Sequence, residues 1–507
     1  MSQGNASNQK QSASMATSTK STGTTKASNN TTRHNPHTKS GVSNTSSQKV
    51  NFPKNTQSVS TNNTTTNNVG TKQNVASTGF QLPAFSVLGI ANKLMTGVEN
   101  QRRAKRAKGE YFLTEIGISN SDNYSNYQRS YKDEDGIRIF NEWSDEDKKE
   151  LLAVAYDLKS GKELWKHVVG KGLNQDNRSN YAGASPVSDG KHVVFFFGTG
   201  DMAVFSHDGE IQWKKNIQEE YGKFYFLWTF SSSPIIFDGK IILQVLQRDT
   251  PVHPAQQGGG KKSSFILALS LEKGKEIYKT NRPDEAKSES KEAFSTPVIY
   301  KVDGKSQLLI TGGDCITGHD PNSGKEIWRW GTWNPTKIGH WRLVPSPVAG
   351  NGVALACAPK GDPVYAVKLG KNGKLDDSSI SWKGKKDAIA SDVPTPLFYD
   401  GYFYIAHNGK KRSHVLSCVE PSTGNVIWSE NLNVNGKIEA SPTAADGKIF
   451  VITHHGEVVV VAAGKKFNKI HQTQMGAARN GIVRSSVALS DNTALIRTDD
   501  TLFCIGK

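Results

Sequence analysis

From about residue 110 onward, short apolar runs alternate with polar turns, and this pattern recurs at a regular interval. Each unit opens with a small residue followed by proline and continues into an apolar run, which is typical of a β-strand entered from a turn. The spacings between successive markers are 48, 63, 50, 49, 46 and 45 residues. The markers are Ser185-Pro186, Ser233-Pro234, Thr296-Pro297, Ser346-Pro347, Thr395-Pro396, Ser441-Pro442 and a degenerate Ser486-Val487.

An Asp-Gly pair follows most markers and separates two apolar runs. Asp-Gly in this position is the strongest short-range signal for a β-hairpin. We therefore predict that each unit begins with a hairpin. The pairs are Asp189-Gly190, Asp238-Gly239, Asp303-Gly304, Asp400-Gly401 and Asp446-Gly447.

A second motif closes each unit, and its fullest copy runs from Asp157 through Gly161 to Trp165. The Asp side chain can accept hydrogen bonds from turn amides, and Gly supplies the positive φ that the turn needs. The alternating run that follows predicts an outer strand, and its aromatic residue is suited to packing between neighbouring sheets. Other copies contribute Trp213, Asp320, Gly324, Trp328, Gly424 and Trp428.

Units of this length with four short strands each predict a β-propeller. The longest unit carries an insertion rich in Pro and Gly, residues 247–264, which indicates a loop. We predict an all-β, eight-bladed propeller, with seven blades as the alternative. The first strand of the first blade is unclear, and the last unit has three strands, so how the ring closes stays open.

The 507-residue chain has a mean hydropathy of −0.54, and its first part is unlike the repeats. Residues 1–79 are rich in Ser, Thr and Asn, which predicts a disordered tail. Residues 80–109 indicate a short amphipathic helix and a basic linker. A solvated linker helix is favoured there over a membrane-surface anchor or a nuclear-localisation-like cluster. Residues 110–507 form the predicted propeller, with a polar insertion at 117–149 on one face.

The positive charge is concentrated before the repeats. Residues 1–108 contain 14 basic residues and a single acidic one, whereas the remainder contains 49 basic and 46 acidic residues. A nearly neutral folded part does not favour nucleic-acid binding through a basic face, but the tail could contact polyanions. No secretory signal, lipobox or transmembrane segment is readable, and the compartment is unknown.

The four cysteines include neither an adjacent pair nor a C-x-x-C motif. Their apolar neighbours favour small buried residues over ligands or disulfides. The cysteines are Cys315, Cys357, Cys418 and Cys504.

The motif A-x-D-x-x-[ST]-G-x-x-x-W, together with the Ser-Pro and Asp-Gly markers, resembles the pyrroloquinoline-quinone (PQQ)-like β-propeller repeat over residues 110–507. That family includes both enzymes and binding scaffolds, so the resemblance is specific for fold rather than function. The enzymes are PQQ-dependent alcohol or sugar dehydrogenases, which hold the cofactor over the central channel with Ca²⁺. The relatives are often periplasmic, exported or anchored.

Residues just before each inner strand line the mouth of the channel in propellers. The corresponding positions here hold three carboxylates, two arginines and two aromatic residues, a set that could bind a small polar ligand or an ion. Internal salt bridges and water could equally satisfy them. These positions are Tyr181, Trp228, Glu292, Arg342, Asp392, Glu439 and Arg484.

The sequence favours a monomeric propeller that acts as a scaffold for a protein partner or a small polar ligand. We find no evident catalytic residue, metal site or required cofactor. A PQQ- and Ca²⁺-dependent dehydrogenase is the main alternative, and polyanion binding through the tail is a third. His454-His455 is interpreted as a solvated pair, because a metal site would need more ligands.

Overall fold

The computed structural model describes residues 110–117, 150–158, 160–172, 179–385, 389–407, 414–475, 483–490, 492–498 and 501–506. The predicted tail, the amphipathic segment and the insertion after residue 117 lie outside these residues. The regular secondary structure of the described residues is almost entirely β-strand. Its one α-helix, α1, spans Ile217–Tyr221, and short 3-10 helices span Pro254–Gln256, Ser288–Lys291 and Asp377–Ser379. No helix of the described part is long and apolar enough to cross a bilayer.

The strands form eight sheets whose members pair in chain order, with one exception. The first sheet comprises β1 (Glu110–Gly117), β2 (Glu150–Asp157) and β3 (Glu163–Lys171). The second comprises β4 (Val187–Ser188), β5 (His192–Phe196), β6 (Asp201–Ser206) and β7 (Ile211–Asn216). The third comprises β8 (Ile235–Phe237), β9 (Lys240–Val245), β10 (Phe265–Ser270) and β11 (Glu276–Asn281). The fourth comprises β12 (Val298–Val302), β13 (Lys305–Gly312), β14 (Cys315–His319) and β15 (Glu326–Trp330).

The second half of the ring continues in the same way. The fifth sheet comprises β16 (Val348–Gly350), β17 (Val353–Cys357), β18 (Val364–Lys368) and β20 (Ile380–Lys383). The exception is β19 (Gly373–Lys374), which leaves the fifth sheet and pairs in parallel with β15. The sixth comprises β21 (Leu397–Tyr399), β22 (Tyr402–Ala406), β23 (Val415–Val419) and β24 (Val426–Asn431). The seventh comprises β25 (Thr443–Ala445), β26 (Lys448–Ile452), β27 (Glu457–Ala462) and β28 (Lys469–Gln474). The eighth comprises β29 (Ala488–Ser490), β30 (Thr493–Arg497) and β31 (Leu502–Gly506).

The hydrophobic core lies between successive sheets rather than in one central body. The second and third sheets share one cluster, which includes Phe196 and Leu243, and the sixth and seventh share another. At the seam, Leu158 of the first sheet packs with Ala488 and Leu495 of the eighth. The sheets therefore form a closed ring, which confirms the propeller fold. The six complete sheets and the two three-stranded end sheets at the seam give the seven-bladed ring that was the alternative. The prediction of eight four-stranded blades is wrong, because each end sheet has only three strands among the described residues.

The predicted hairpins connect the first two strands of the sheets. At Asp238-Gly239, both residues have positive φ, 47° and 69°, as a two-residue type I′ turn requires. Asp303, Asp400 and Asp446, each followed by Gly, repeat this conformation. The insertion at 247–264 is a loop between β9 and β10, as predicted.

The Ser/Thr-Pro markers are joined by a chain of hydrogen bonds that crosses from sheet to sheet. In each link, the backbone N–H of one marker donates to the side-chain hydroxyl of the next, which explains why each marker carries Ser or Thr. The links are Ser185 to Ser233 (2.9 Å), Ser233 to Thr296 (3.2 Å), Thr296 to Ser346 (2.8 Å), Ser346 to Thr395 (3.1 Å) and Thr395 to Ser441 (2.9 Å).

The closing motif also joins neighbouring sheets. Asp157 accepts a 2.7 Å hydrogen bond from the amide of Ser160, and Gly161 has a φ of 67°. The Trp165 indole stacks on Phe205 of the second sheet and donates to the carbonyl of His207, 2.8 Å away. Equivalent bonds join Trp213 to Leu271 (2.8 Å), Trp382 to Pro421 (2.6 Å) and Trp428 to Gly464 (2.9 Å).

Trp328 departs from this pattern. Its indole donates to Gln307 of its own sheet, 2.9 Å away, whereas Trp330 lies 5.0 Å from the ring of Tyr365 in the fifth sheet. The reason lies in the fifth sheet, where the Asp-x-x-Ser-Gly turn is replaced by a longer segment that runs along β15 as β19. Trp330 therefore makes the contact between sheets that the motif predicts for Trp328.

Three of the cysteines, Cys315, Cys357 and Cys418, are buried free thiols, as predicted. The prediction is wrong for Cys504, which is exposed on β31. β31 is the last strand described in a three-stranded sheet, so its apolar neighbours in sequence do not cover it.

The two ends of the sheets differ in the kind of connection that they carry. Because strands alternate in direction, the loops after second strands and the connections between sheets share one end, which we call the upper face. On this face Gly198 N–H donates to the carbonyl of Tyr181, 2.8 Å away. The lower face carries the Asp-Gly hairpins and the closing-motif turns, joined for example by Leu271 N–H and the carbonyl of Gly239, 2.9 Å apart.

Candidate functional site

The seven residues predicted to surround the channel mouth all lie in connections from an outer strand to the next inner strand, on the upper face. The structure brings five of them into two charged clusters. Asp392 accepts a 2.7 Å hydrogen bond from the amide of Lys360, and Tyr181 packs beside Gly172 and Gly198. Their role in ligand binding stays a prediction.

Glu292 is the most deeply buried of the seven, with a side chain that is 0% exposed. Its Oε1 accepts hydrogen bonds from the backbone N–H of Leu227, at 3.0 Å, and from Nε of Arg248. Its Oε2 is buried and has no hydrogen-bond partner among the described residues. Burial raises the pKa of Glu292 to about 7, although Arg248 and the Leu227 amide act in the opposite direction. This carboxyl group is therefore poised to change charge near neutral pH.

Trp228 and Arg342 lie against each other close to Glu292. The Arg342 guanidinium is 5.6 Å from the centroid of the Trp228 ring, within the range of a cation–π contact. Both residues also bind the same carboxylate oxygen of Glu289, at 2.9 Å from Trp228 Nε1 and 3.3 Å from Arg342 Nη1. Because Leu343 N–H donates to the carbonyl of Glu292, this group and the Arg248–Glu292 pair form one assembly. We call Trp228, Arg248, Glu289, Glu292 and Arg342 the mouth cluster.

The second cluster joins the seventh and eighth sheets. Glu439 Oε2 lies 2.9 Å from His454 Nε2 and 3.1 Å from Arg484 Nε. Burial acts to raise the pKa of Glu439, but the contacts with His454 and Arg484 outweigh burial and hold the pKa at about 2. His454 is therefore engaged with a carboxylate, and its interpretation as a solvated side chain is wrong.

Three residues of these clusters were not assigned to a site by the sequence analysis. Arg248 and His454 lie in loops that follow second strands, after β9 and β26, and Glu289 lies in the 3-10 helix before Glu292. The sequence did offer a signal for Arg248 and His454, because loops after second strands share the upper face with the connections between sheets. Which loop contacts which connection can be known only from the structure.

The charged residues do not fit a Ca²⁺ site for PQQ. In the described part of the chain, no three His, Cys, Asp or Glu side chains converge closely enough to hold a metal ion. Glu292, Glu289 and Glu439 each face arginine instead of a shared central position. We therefore derive no catalytic step through that cofactor.

A model described as "Outer membrane protein assembly factor BamB" matches residues 148–385 and 316–503. Together the two matches extend from the start of the second strand to the last one, which is more than half of the chain. Among curated proteins, no sequence match was found.

Solved structures similar to the chain include proteins of different activities. BamB from Moraxella catarrhalis is 12% identical and aligns over 69% of this chain and 91% of that one, with a TM-score of 0.45. Quinohemoprotein alcohol dehydrogenase from Comamonas testosteroni is 12% identical over 80% and 73% of the two chains, with a TM-score of 0.47. A europium-containing methanol dehydrogenase is 11% identical over 70% and 79%, with a TM-score of 0.48.

Proposed function

The chain belongs to the PQQ-like β-propeller repeat family, and we propose that it is a scaffold that binds a protein partner on its upper face. The observation that carries this proposal is the mouth cluster. Arg342 is held in place by both Trp228 and Glu289, in a connection next to the exposed His340. Aromatic residues and arginines held in this way are typical of residues that dominate protein interfaces.

The way in which the carboxylates are neutralised also favours binding over redox chemistry. Each glutamate of the two clusters is paired with a cation of the protein itself. Ion pairs of this kind fix the orientation of side chains and give a surface a defined charge pattern, which steers and selects partners.

Photo-crosslinking tests the proposed face directly. A photoreactive amino acid at His340, on the upper face, is expected to give a discrete adduct with one protein in the cells that express this chain. The same group at Asn351, in an exposed hairpin on the lower face, serves as the control. Identical adducts from both positions, or none from His340, would contradict the proposal.

A dehydrogenase is the alternative, and a turnover assay separates the two functions. The full chain is incubated with PQQ and Ca²⁺, then with alcohols or aldoses and a dye acceptor. The scaffold proposal expects no turnover above that of a heat-inactivated sample. Turnover that is lost on Asp392→Asn or Glu439→Gln would overturn it.

Polyanion binding through residues 1–108 is a second candidate, favoured by their net charge of +13. Removal of these residues is expected to abolish binding to heparin and to flatten its dependence on salt. If affinity and salt dependence survive the deletion, the tail does not carry this function.

A further inference from the structure

Two groups of the mouth cluster lack partners for part of their hydrogen-bonding capacity. Oε2 of Glu292 is buried without a partner, although its side chain is 0% exposed. Arg248 uses Nε to reach Oε1 of the same carboxylate. Among the described residues, no acceptor lies within hydrogen-bond distance of its two terminal nitrogens, and its side chain is 13% exposed. A buried carboxylate oxygen without a partner is rare in proteins and indicates an incomplete site.

A second guanidinium is fixed beside this pair. Arg342 is 16% exposed, and its position is determined by the Trp228 ring and Glu289. Because its planar group is already oriented, little conformational entropy is lost when it binds an acceptor. The cluster thus offers two arginines on connections that are joined through the hydrogen bond from Leu343 N–H to the Glu292 carbonyl.

We propose that the mouth cluster binds a carboxylate group through Arg248 and Arg342, and that Glu292 takes up one proton from solvent as the carboxylate enters. This inference rests on the binding function proposed above and names the chemistry of the bound group. The carboxylate belongs to an acidic side chain of a partner protein or to a free organic acid.

The charges of the cluster favour this coupling. With Glu292 ionised, the two arginines are balanced by Glu289 and Glu292, and the site has no net charge for an anion. Protonation of Glu292 leaves one positive charge, which a carboxylate then neutralises. The proton goes to the oxygen that has no partner, while Oε1 keeps the hydrogen bond from Leu227 N–H.

Three titratable or charged side chains lie close to Glu292. They are Arg248 from the loop after β9 and Glu289 from the preceding 3-10 helix, with His253 bound to the Leu227 carbonyl at 2.9 Å. Burial holds the pKa of Glu292 at about 7 in the absence of a ligand. An anion placed beside Arg248 removes part of the attraction that stabilises the ionised form, so binding raises this pKa further.

Isothermal titration calorimetry of the full chain tests the proposal. The probes are a blocked peptide of alternating Glu and Gly, its Gln counterpart, succinate and inorganic phosphate. We expect the Glu peptide to bind at pH 6, the Gln peptide not to bind, and Arg342→Met to weaken binding at least tenfold. Lys215→Met, a lysine paired with Glu220 outside the cluster, serves as the control and should leave binding unchanged.

Proton uptake by Glu292 can be measured separately from affinity. If Glu292 had only a structural role, binding would not be accompanied by proton uptake. Above pH 7, affinity should fall about tenfold per pH unit, and titrations in buffers of different ionisation enthalpy should show proton uptake. Glu292→Gln keeps the shape of the protonated side chain. This variant should bind at pH 8.5 as tightly as the unmodified protein binds at pH 6, without proton uptake.

Each other outcome has a definite meaning. Binding of succinate without the Glu peptide supports the carboxylate site but contradicts the protein partner, so the two proposals can fail separately. Preferential binding of phosphate, absence of binding by either carboxylate probe, or a pH dependence that persists in Glu292→Gln would overturn the inference. Thermal melting of each variant identifies any loss of folding.

Discussion

The backbone N–H of Ser185 donates a 2.9 Å hydrogen bond to the hydroxyl of Ser233, whereas the hydroxyl of Ser185 is itself buried without a partner among the described residues. Ser185 and Ser233 occupy the same position in adjacent units, but only the hydroxyl of Ser233 accepts a hydrogen bond from the neighbouring unit. Ser233 links two sheets, and Ser185 stands at the start of the chain of links. This difference gives a matched pair of substitutions.

Ser233→Ala should lower the free energy of unfolding by about 1–3 kcal/mol, because the buried N–H of Ser185 then has no acceptor. Ser185→Ala should change stability by less than about 0.5 kcal/mol, since none of the described residues bonds to the hydroxyl that it removes. Urea denaturation measures both. Equal losses would contradict the role assigned to the marker hydroxyls.

Replacing the aromatic residue of the closing motif by alanine should cost more stability where that residue is more deeply buried. Trp428 is 8% exposed, packs 5.2 Å from Phe467 and donates to Gly464, so Trp428→Ala should cost about 3–5 kcal/mol. Trp165 is only half-buried, and its replacement by Ala should cost less. Denaturation midpoints for the two variants give the order, and a reversed order would be inconsistent with packing between sheets as the cause.

Substitutions at Gly424 and Gly401 distinguish two costs of replacing a glycine, namely backbone strain and collision of the added Cβ with a neighbour. Both have positive φ, 74° and 80°, so an alanine is strained at either position. A Cβ at Gly424 would also lie 2.5 Å from the Trp382 ring, whereas a Cβ at Gly401 would have no atom of a packed, described residue within 4 Å. Gly401→Ala should cost about 1 kcal/mol, and Gly424→Ala clearly more. Thermal melting of the two variants measures both losses of stability. Similar losses would show that backbone strain alone accounts for both.

Acid should weaken the contact between the seventh and eighth sheets. The pKa of Glu439 is lowered from 4.5 to about 2, so its ion pairs contribute stability above pH 4.5 and lose it as the pH falls through 2. We expect Glu439→Gln to be less stable than the unmodified protein at pH 6. The difference should shrink between pH 4.5 and pH 2.5 in melting experiments. A difference that stays constant with pH would assign the effect to packing.

The fold was predictable because each unit carries its own signals. Asp238-Gly239 encodes a turn that only particular residues adopt, and Ser233-Pro234 recurs because its hydroxyl has a partner in the neighbouring sheet. Both signals are local, so they can be found in the sequence without knowing how the sheets are arranged.

The clusters were only partly predictable, because they depend on which loops meet. The spacing before each inner strand identified Glu292 and Glu439, but not Arg248 or His454, which arrive from loops of other connections. Trp330, and not Trp328, contacts the next sheet because that sheet has an unusual turn. No sequence pattern around Trp328 itself indicates this difference.

The two-residue strand β19 has a consequence for how this molecule meets copies of itself. The outer strand of a sheet exposes backbone groups that another chain can use to extend the sheet, a common route to aggregation. At Trp328 and Arg329 of β15, the protein's own chain already occupies that position in parallel register. The fourth blade is thereby protected against strand exchange at these two residues, and a deletion that removes Gly373 and Lys374 would open its rim to self-association.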